Sequence, residues 1–295
     1  MSKVEGDRNF DDLVEHFSGK IYGRHGQQGA VQKGRLRHAI IRRDLKTCIP
    51  GLYPSGDKPE AVRALEILDV GAGLGQWVVE LAGQGHHLNY NDVSEKMSEQ
   101  ARTTACEQLS PDYVEKHTQW FSQPYQSLSE HIAPESQDLI LCHAVIEWLQ
   151  HPEPLFSMLY DWLKPGAYLS FCHYNPAGKR LRNLIFGNFK AVEKEHRGER
   201  PDHSATRGGL TPSNPSSIQD IDRWWQASGF ECRQQSAIRV FSDYTLEKRG
   251  GLSSPEAVFE MEIAMSQDPN FIHSARYRHV VLQKPFRSWF EMDHF

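Results

Sequence analysis

The chain has 295 residues, a net charge of −5 and no apolar run approaching the roughly 20 residues a membrane helix needs. Its 39% hydrophobic and 24% charged residues are those of an ordinary globular fold, and the negative charge does not announce a nucleic-acid binder. Five scattered cysteines without a C-x-x-C pair argue against a zinc site or a disulfide framework, and the first residues lack the apolar core of a signal peptide. The expectation is a soluble cytoplasmic protein with reduced thiols, no metal and no membrane partner.

In chain order, apolar positions at helix period (Phe10, Leu13, Phe17; then Leu36, Ile40, Ile41, Leu45) predict helices over 10–18 and 34–48. The glycine-rich segment 19–34 between them reads as a loop, and 50–64 as a linker. From Leu65 short apolar runs alternate with helical stretches. Strands are expected over 65–71, 86–92, 118–123, 138–145 and 167–174, with KPG at 164–166 turning the chain into the fifth. Helices fill 75–85, 94–109 (capped by Ser94) and 154–163. Such alternation predicts a mostly parallel sheet with helices on both faces. After Tyr174 the pattern breaks: 175–217 reads as an irregular cap, followed by a helix over 218–229 and strands near 230–241 and 276–283. The expected organisation is an N-terminal helical extension, 1–64, and a sheet domain, 65–295, with the cap closing over the carboxyl edge where open α/β sheets bind ligands.

Three basic stretches, 33–46, 177–190 and 276–284, interrupt the acidic chain and read on composition as solvated faces balanced by nearby acids. The glycines Gly71, Gly73 and Gly75 follow the first strand directly and open a helix, so backbone can approach a ligand there. Their spacing, G-A-G-L-G, departs from the G-x-G-x-x-G of dinucleotide sites. Asp92, ending the second strand, either accepts hydrogen bonds from ribose hydroxyls or serves the helix start beside Ser94.

ILDVGAGLGQ, then ND at strand two, DLILCHAVIEWL at strand four and LKPGAYLSF entering strand five together resemble a class I S-adenosylmethionine-dependent methyltransferase, for which a Rossmann-like, seven-stranded sheet is expected. The segments DRNFDDLVEHFSGKIYG, KGRLRHAI, CHAVIEW, YNPAGKRLRNLIFGNF, IRVFSDY and RYRHVVLQKP extend the likeness over nearly the whole chain. They resemble the bacterial tRNA 5-carboxymethoxyuridine methyltransferase family. The resemblance implies S-adenosylmethionine as donor and tRNA as partner, with the carboxylate of the modified wobble uridine as acceptor. It places donor contacts on Arg37, Gly71, Ala72, Gly73, Asp92, Tyr125, Gln126 and His143. Ala72 stands where the family often has glycine, and the turn tolerates it if φ is negative.

A carboxylate acceptor, with a pKa of about 4, is ionised at neutral pH, so no general base and no catalytic side chain is expected. Candidates for acceptor contact are Tyr174, Asn175 and Arg239. Arg239, in an apolar strand, either faces the cleft or pairs with Asp243. Glu147 and Trp148 open a short helix, Trp148 as core packing. Two other readings stay open: a small-molecule or carrier-bound carboxyl methyltransferase, and a donor-binding protein without transfer activity.

Overall fold

The computed structural model describes residues 7–12, 14, 28–53, 63–199, 212, 215–245 and 254–286. The loop at 19–27 and the linker at 54–62 lie outside the described residues, as do 200–211 of the cap and the tail 287–295; the helix expected over 10–18 is described only at 10–12, a turn, and at residue 14. Helices α1 (Gln28–Cys48), α2 (Gln76–Ala82), α3 (Glu95–Leu109), α4 (Pro111–His117) and α5 (Pro154–Trp162) precede the fifth strand. After it come α6 (Pro176–Ile185), α7 (Phe189–His196), α8 (Ile218–Ala227), α9 (Pro255–Met265) and α10 (Pro269–Ile272). The strands are β1 (Glu66–Val70), β2 (His87–Asn91), β3 (Thr118–Phe121), β4 (Gln137–His143), β5 (Leu163–Tyr174), β6 (Glu231–Ile238) and β7 (Tyr277–Gln283).

They form one seven-stranded sheet in the order β3-β2-β1-β4-β5-β7-β6, with β7 antiparallel to both neighbours. From β1 the chain winds outward to β2 and β3, then returns to lay β4 on the other side of β1. This reversal opens a crevice between the loops leaving β1 and β4. The apolar stripe of α1, Leu36, Ile40, Ile41 and Leu45, is buried against Ile67, Leu139, Leu141 and Cys172 of one sheet face, so the N-terminal helix shares the sheet's core. On the other face Leu155, Phe156 and Leu159 of α5 pack with Leu68, Ile140 and Phe171.

Three sequence expectations need correction. The segment 28–33, read as loop, extends α1 by more than a turn despite Gly29. The KPG segment is no turn: β5 begins at Leu163, and the register against β4 slips between Leu163 and Tyr168, with Gly166 at φ 82° absorbing the bulge. The stretch after Tyr174 is not irregular either, since α6 and α7 occupy most of 176–196. Gly178 within α6 has a packing reason, because a Cβ there would collide with the carbonyl oxygen of Ala275.

The turn after β6 is held by a residue far along the chain. Glu262, fully buried on α9, accepts hydrogen bonds from the backbone N–H groups of Val240 (2.9 Å), Phe241 (3.0 Å) and Ser242 (2.6 Å). That clamp fixes the loop in which Arg239 adopts φ 61°, a left-handed conformation costly for a side chain with a Cβ. Glu262→Ala should strand three amides and lower unfolding free energy by about 3 kcal/mol or more in urea titrations. A loss below about 1 kcal/mol would show that the clamp is dispensable.

Candidate functional site

A cavity of about 1270 Å³ opens at the carboxyl ends of β1, β2 and β4. Ordinary small-molecule pockets span roughly 300–1000 Å³, so this one has room for two ligands side by side. Its floor is the glycine turn. Gly71, Gly73 and Gly75 are all left-handed, at φ 66°, 56° and 69°. Gly71 is forced: a Cβ would strike the Val145 side chain of the loop after β4. Gly73 meets nothing within 4 Å, so its bare backbone faces open space. Ala72 is not among the positive-φ residues, as its side chain requires.

The turn is braced from the polar strand β2. Tyr90 Oη donates to the Gly73 carbonyl at 2.6 Å, and Asp92 takes the Gly73 N–H at 2.8 Å and the Ser94 N–H at 2.9 Å. Asp92 therefore serves the turn and lines the cavity at once; Ser94, not Asp92, is the N-cap of α3. Burial, with Asp11 nearby, raises its carboxyl above the usual range despite these donors. Asp69, at the end of β1, was missed by the sequence reading, although an acid within the apolar run EILDV was the available signal. It is buried on the cavity wall with Oδ2 unpartnered, and burial, reinforced by Asp92, pushes its carboxyl far up.

Residues 7–11 line the cavity. Asp7 accepts from Gln150 N at 2.8 Å and from Gln126 Nε2 at 3.2 Å, and Asp11 accepts from Ser94 Oγ at 2.6 Å. Phe10 packs edge-on against Trp148 at 5.0 Å. Trp148 is thus half-buried wall rather than core, a correction to its sequence reading. Tyr125 and Gln126 lie on a 3-10 turn lining the cavity, with Gln126 Oε1 buried and unpartnered.

Of the arginines of α1, Arg35 pairs with Glu256, Arg42 with Glu80 and Arg43 with Asp44. Arg37 instead lines the cavity, where its charge acts on His143, Glu147 and Tyr277. His143 ends β4 and donates or accepts at Ser170 Oγ through Nε2 (2.8 Å), while Nδ1 is buried without a partner. Burial, then the neighbouring His279, Arg37 and His38, depress its pKa well below the ordinary imidazole value, so the ring is neutral at neutral pH.

A second, basic group lines the same cavity. Lys33, Arg182, Arg239 and Arg276 are close enough that, after burial, the fields of the three arginines lower the Lys33 pKa. Arg239 donates to Asp243 from Nη2 (2.6 Å to each carboxylate oxygen) and from Nε (3.1 Å), so it faces the cavity and pairs with the acid at once. Arg276, just before β7, was not singled out in the sequence. Its guanidinium stacks over Tyr174 at 5.0 Å, and Nη1 is buried and unpartnered, as is Tyr174 Oη. Asn175 does not reach the cavity. It caps α6 by accepting from Ala177 N at 3.1 Å, and its amide donates to the His273 and Ala275 carbonyls, both at 2.9 Å. The basic stretches are therefore solvated and paired only in part: Arg180 pairs with Glu195, but Arg182 faces inward.

Glu147 sits fully buried beside these groups, with Oε2 unpartnered. Burial raises its pKa from 4.5 to about 7, with backbone amides and Arg37 opposing. Because the folded value is the higher one, this group's contribution to stability is full below about pH 4.5 and is lost as pH rises to about 7. Glu147→Gln should remove that loss. In urea unfolding across pH, the variant should gain on the parent chain between pH 4.5 and 7, and a constant difference would contradict the assignment.

Comparison with known proteins gives this geometry a family. Residues 31–235 match the family described as a methyltransferase domain. Over 279 residues the chain is 32% identical to the tRNA 5-carboxymethoxyuridine methyltransferase of Escherichia coli K12, covering 95% of this chain and 97% of that protein. A malonyl-(acyl-carrier protein) O-methyltransferase of Halalkalibacterium halodurans is 25% identical over 56% of this chain and 55% of its own. The fold resembles the magnesium protoporphyrin IX methyltransferase of Synechocystis PCC 6803, solved with bound SAH, at TM-score 0.57 and 15% identity over 93% of this chain and 96% of that one. The chain therefore belongs to the tRNA 5-carboxymethoxyuridine methyltransferase family, and it is an S-adenosylmethionine-dependent enzyme.

Proposed function

We propose that this enzyme esterifies the carboxylate of 5-carboxymethoxyuridine at the wobble position of tRNA. The observation that carries the reading is the basic group around Tyr174: four cations, Lys33, Arg182, Arg239 and Arg276, against Asp243 and the Glu147 carboxyl, whose pKa is raised to about 7. Arg276 Nη1 and Tyr174 Oη are buried donors awaiting an acceptor, a costly arrangement unless an anion completes it. The name of the E. coli relative, a tRNA 5-carboxymethoxyuridine methyltransferase, supports reading that anion as a carboxylate on a tRNA uridine.

The residues fit the methyl donor. Gly73 leaves open space where a side chain would stand, Asp92 keeps lone pairs beyond its two amide bonds, and Gln126 Oε1 and His143 Nδ1 are buried polar atoms without partners. We assign the turn Gly71–Ala72–Gly73, with Asp92, Tyr125, Gln126, His143 and Arg37, to donor binding, and the extension 1–64 to closing this side through its segment 7–12. The cap, through Arg182 and Pro212, belongs to the acceptor side. When bound, S-adenosylmethionine supplies an electrophilic methyl group on a sulfonium sulfur.

The chain then has to aim a carboxylate at that carbon and exclude water. An ionised carboxylate needs no proton removed, which agrees with a neutral, half-buried His143 used for positioning. Fixed cations hold the anion, and positioning supplies much of the rate.

Three measurements check this reading. Nucleoside mass spectrometry of tRNA from a strain lacking the gene should show the methyl ester replaced by the free acid; an unchanged ester overturns the assignment. Arg37→Lys should weaken S-adenosylhomocysteine binding by roughly tenfold in calorimetry, because a point charge replaces a bidentate fork; equal affinity would remove Arg37 from the carboxylate end. Arg276→Gln should lower kcat/KM for tRNA by roughly 100-fold while donor affinity is kept. A loss confined to donor affinity would move Arg276 to the donor side.

A further inference from the structure

The turn that joins α6 to α7 holds apolar side chains out of the core. Leu184 and Ile185 end α6, Phe186 caps it and Phe189 opens α7, with 45%, 54%, 42% and 59% of their surface exposed. They are four of the six large apolar residues that stand exposed among the described residues, and an apolar patch of this kind marks an interaction surface. The exposure is built into the turn and is not a frayed end. Gly187, at φ 70°, closes α6 in a Schellman turn: its N–H donates to the Leu184 carbonyl (3.1 Å), and the Asn188 N–H donates to that of Asn183 (2.7 Å). Farther back, Gly178 lets α6 press onto the backbone at Ala275. The two phenylalanine rings are therefore carried on a fixed support.

The surroundings of the patch select a partner. Between Pro176 and His196 stand five lysines and arginines and two glutamates, and one of the two, Glu195, already pairs with Arg180 at 2.7 Å. Lys190 and Lys194, one helical turn apart on α7, are exposed. The guanidinium of Arg182 lies over the Phe186 ring at 4.9 Å, and Tyr244 stands beside that ring with centroids 6.3 Å apart. Arg182 also lines the cavity, where its charge acts on Lys33, so the patch and the basic group share a residue. A second copy of the chain docked here would set cations against cations. RNA fits both the charge and the place. The neighbours of a uridine held in the cavity lie at its rim, and unpaired bases stack on aromatic faces with cations along their phosphates.

We propose that the α6–α7 turn is a stacking platform for the RNA loop, with Phe186 and Phe189 taking the bases that flank the wobble uridine and Lys190 and Lys194 supplying positive field along the backbone. The inference rests on the tRNA reading above and adds to it a contact independent of the acceptor carboxylate. Every base has a face to stack, so the platform accepts different neighbours of the wobble uridine. A free nucleotide or small carboxylic acid that reaches the cavity leaves the platform empty, so the enzyme favours an acceptor carried within a loop.

A two-by-two binding experiment decides it, read by fluorescence anisotropy. The proteins are the parent chain and the double variant Phe186→Leu, Phe189→Leu, which keeps apolar bulk and loses the aromatic faces. The probes are an anticodon stem-loop with ordinary uridine at the wobble position and the same hairpin made abasic at both flanking positions. The parent should bind the abasic hairpin roughly tenfold or more weakly, and the variant should bind both hairpins as weakly as that. Unchanged S-adenosylhomocysteine affinity shows that the variant is folded. Equal affinity of the parent for the two hairpins overturns the inference without recourse to any variant. A variant that binds the complete hairpin as tightly as the parent also overturns it and gives the patch to a second copy or a lipid surface. So does a variant that loses equally on both hairpins, because the rings then act without the bases. A parent chain that binds neither hairpin contradicts the tRNA reading itself and takes this inference with it.

Discussion

The chain leaves β1 and β4 side by side and turns away from them in opposite senses, and the site follows from the gap this opens. Closing that gap to ligand-binding distance needs the two loops in contact, and Gly71 against Val145 is where they touch. With no side chain at 71 and an open one-residue window at 73, the turn can face a ligand with backbone alone. The rest of the site is hung around this point. Tyr90 and Asp92 brace the turn from β2, the segment 7–12 ties to Ser94 and Gln150, and the loop after β4 presents Glu147 and Trp148.

The second organising feature is the sorting of charge inside one cavity. Asp69, Asp92 and Asp11 gather near the glycine turn, where burial and a neighbouring carboxylate raise Asp69 and Asp92, while the Ser94 hydroxyl holds Asp11 below the ordinary value. Lys33, Arg182, Arg239 and Arg276 gather by Tyr174, drawn from α1, α6 and both ends of the β6–β7 excursion. Holding four cations together is unfavourable by itself; Asp243 offsets one of them and the aromatic faces of Tyr174 and Tyr277 stabilise two. The remaining positive field is what an anionic acceptor would neutralise.

What could be read from sequence was local. The glycine turn, Asp92, the strand–helix alternation and the N-cap Ser94 sit within a few residues of the signals that reveal them. The acceptor side was not local. Arg276 is brought to Tyr174 by antiparallel pairing of β5 with β7, about a hundred residues apart in the chain, and nothing in RYRHVVLQK separates an inward arginine from a solvated one. Glu262 and His279 were invisible for the same reason, since a buried carboxylate or imidazole is recognisable only by the partners that the fold brings to it. Asn175 failed in the opposite way. Its position beside Tyr174 suggested the cavity, but a residue before Pro176 at a helix start is needed as a cap. The cap segment was misread because Gly178 and Gly187 lower helix propensity where one of them exists to let α6 approach the backbone at Ala275.

The central claim is that this cavity joins a methyl group to a carboxylate carried on RNA. It is tested most directly by incubating the purified enzyme with methyl-labelled S-adenosylmethionine and an anticodon stem-loop bearing 5-carboxymethoxyuridine, then exposing the labelled RNA to mild alkali. A methyl ester hydrolyses under those conditions and releases the label as volatile methanol, whereas a methyl group on a ring nitrogen or an ether oxygen is retained. The account predicts label that enters the RNA only when the carboxymethoxy group is present and leaves quantitatively with alkali. Label that enters a stem-loop lacking that group, or that survives the alkali, would contradict it.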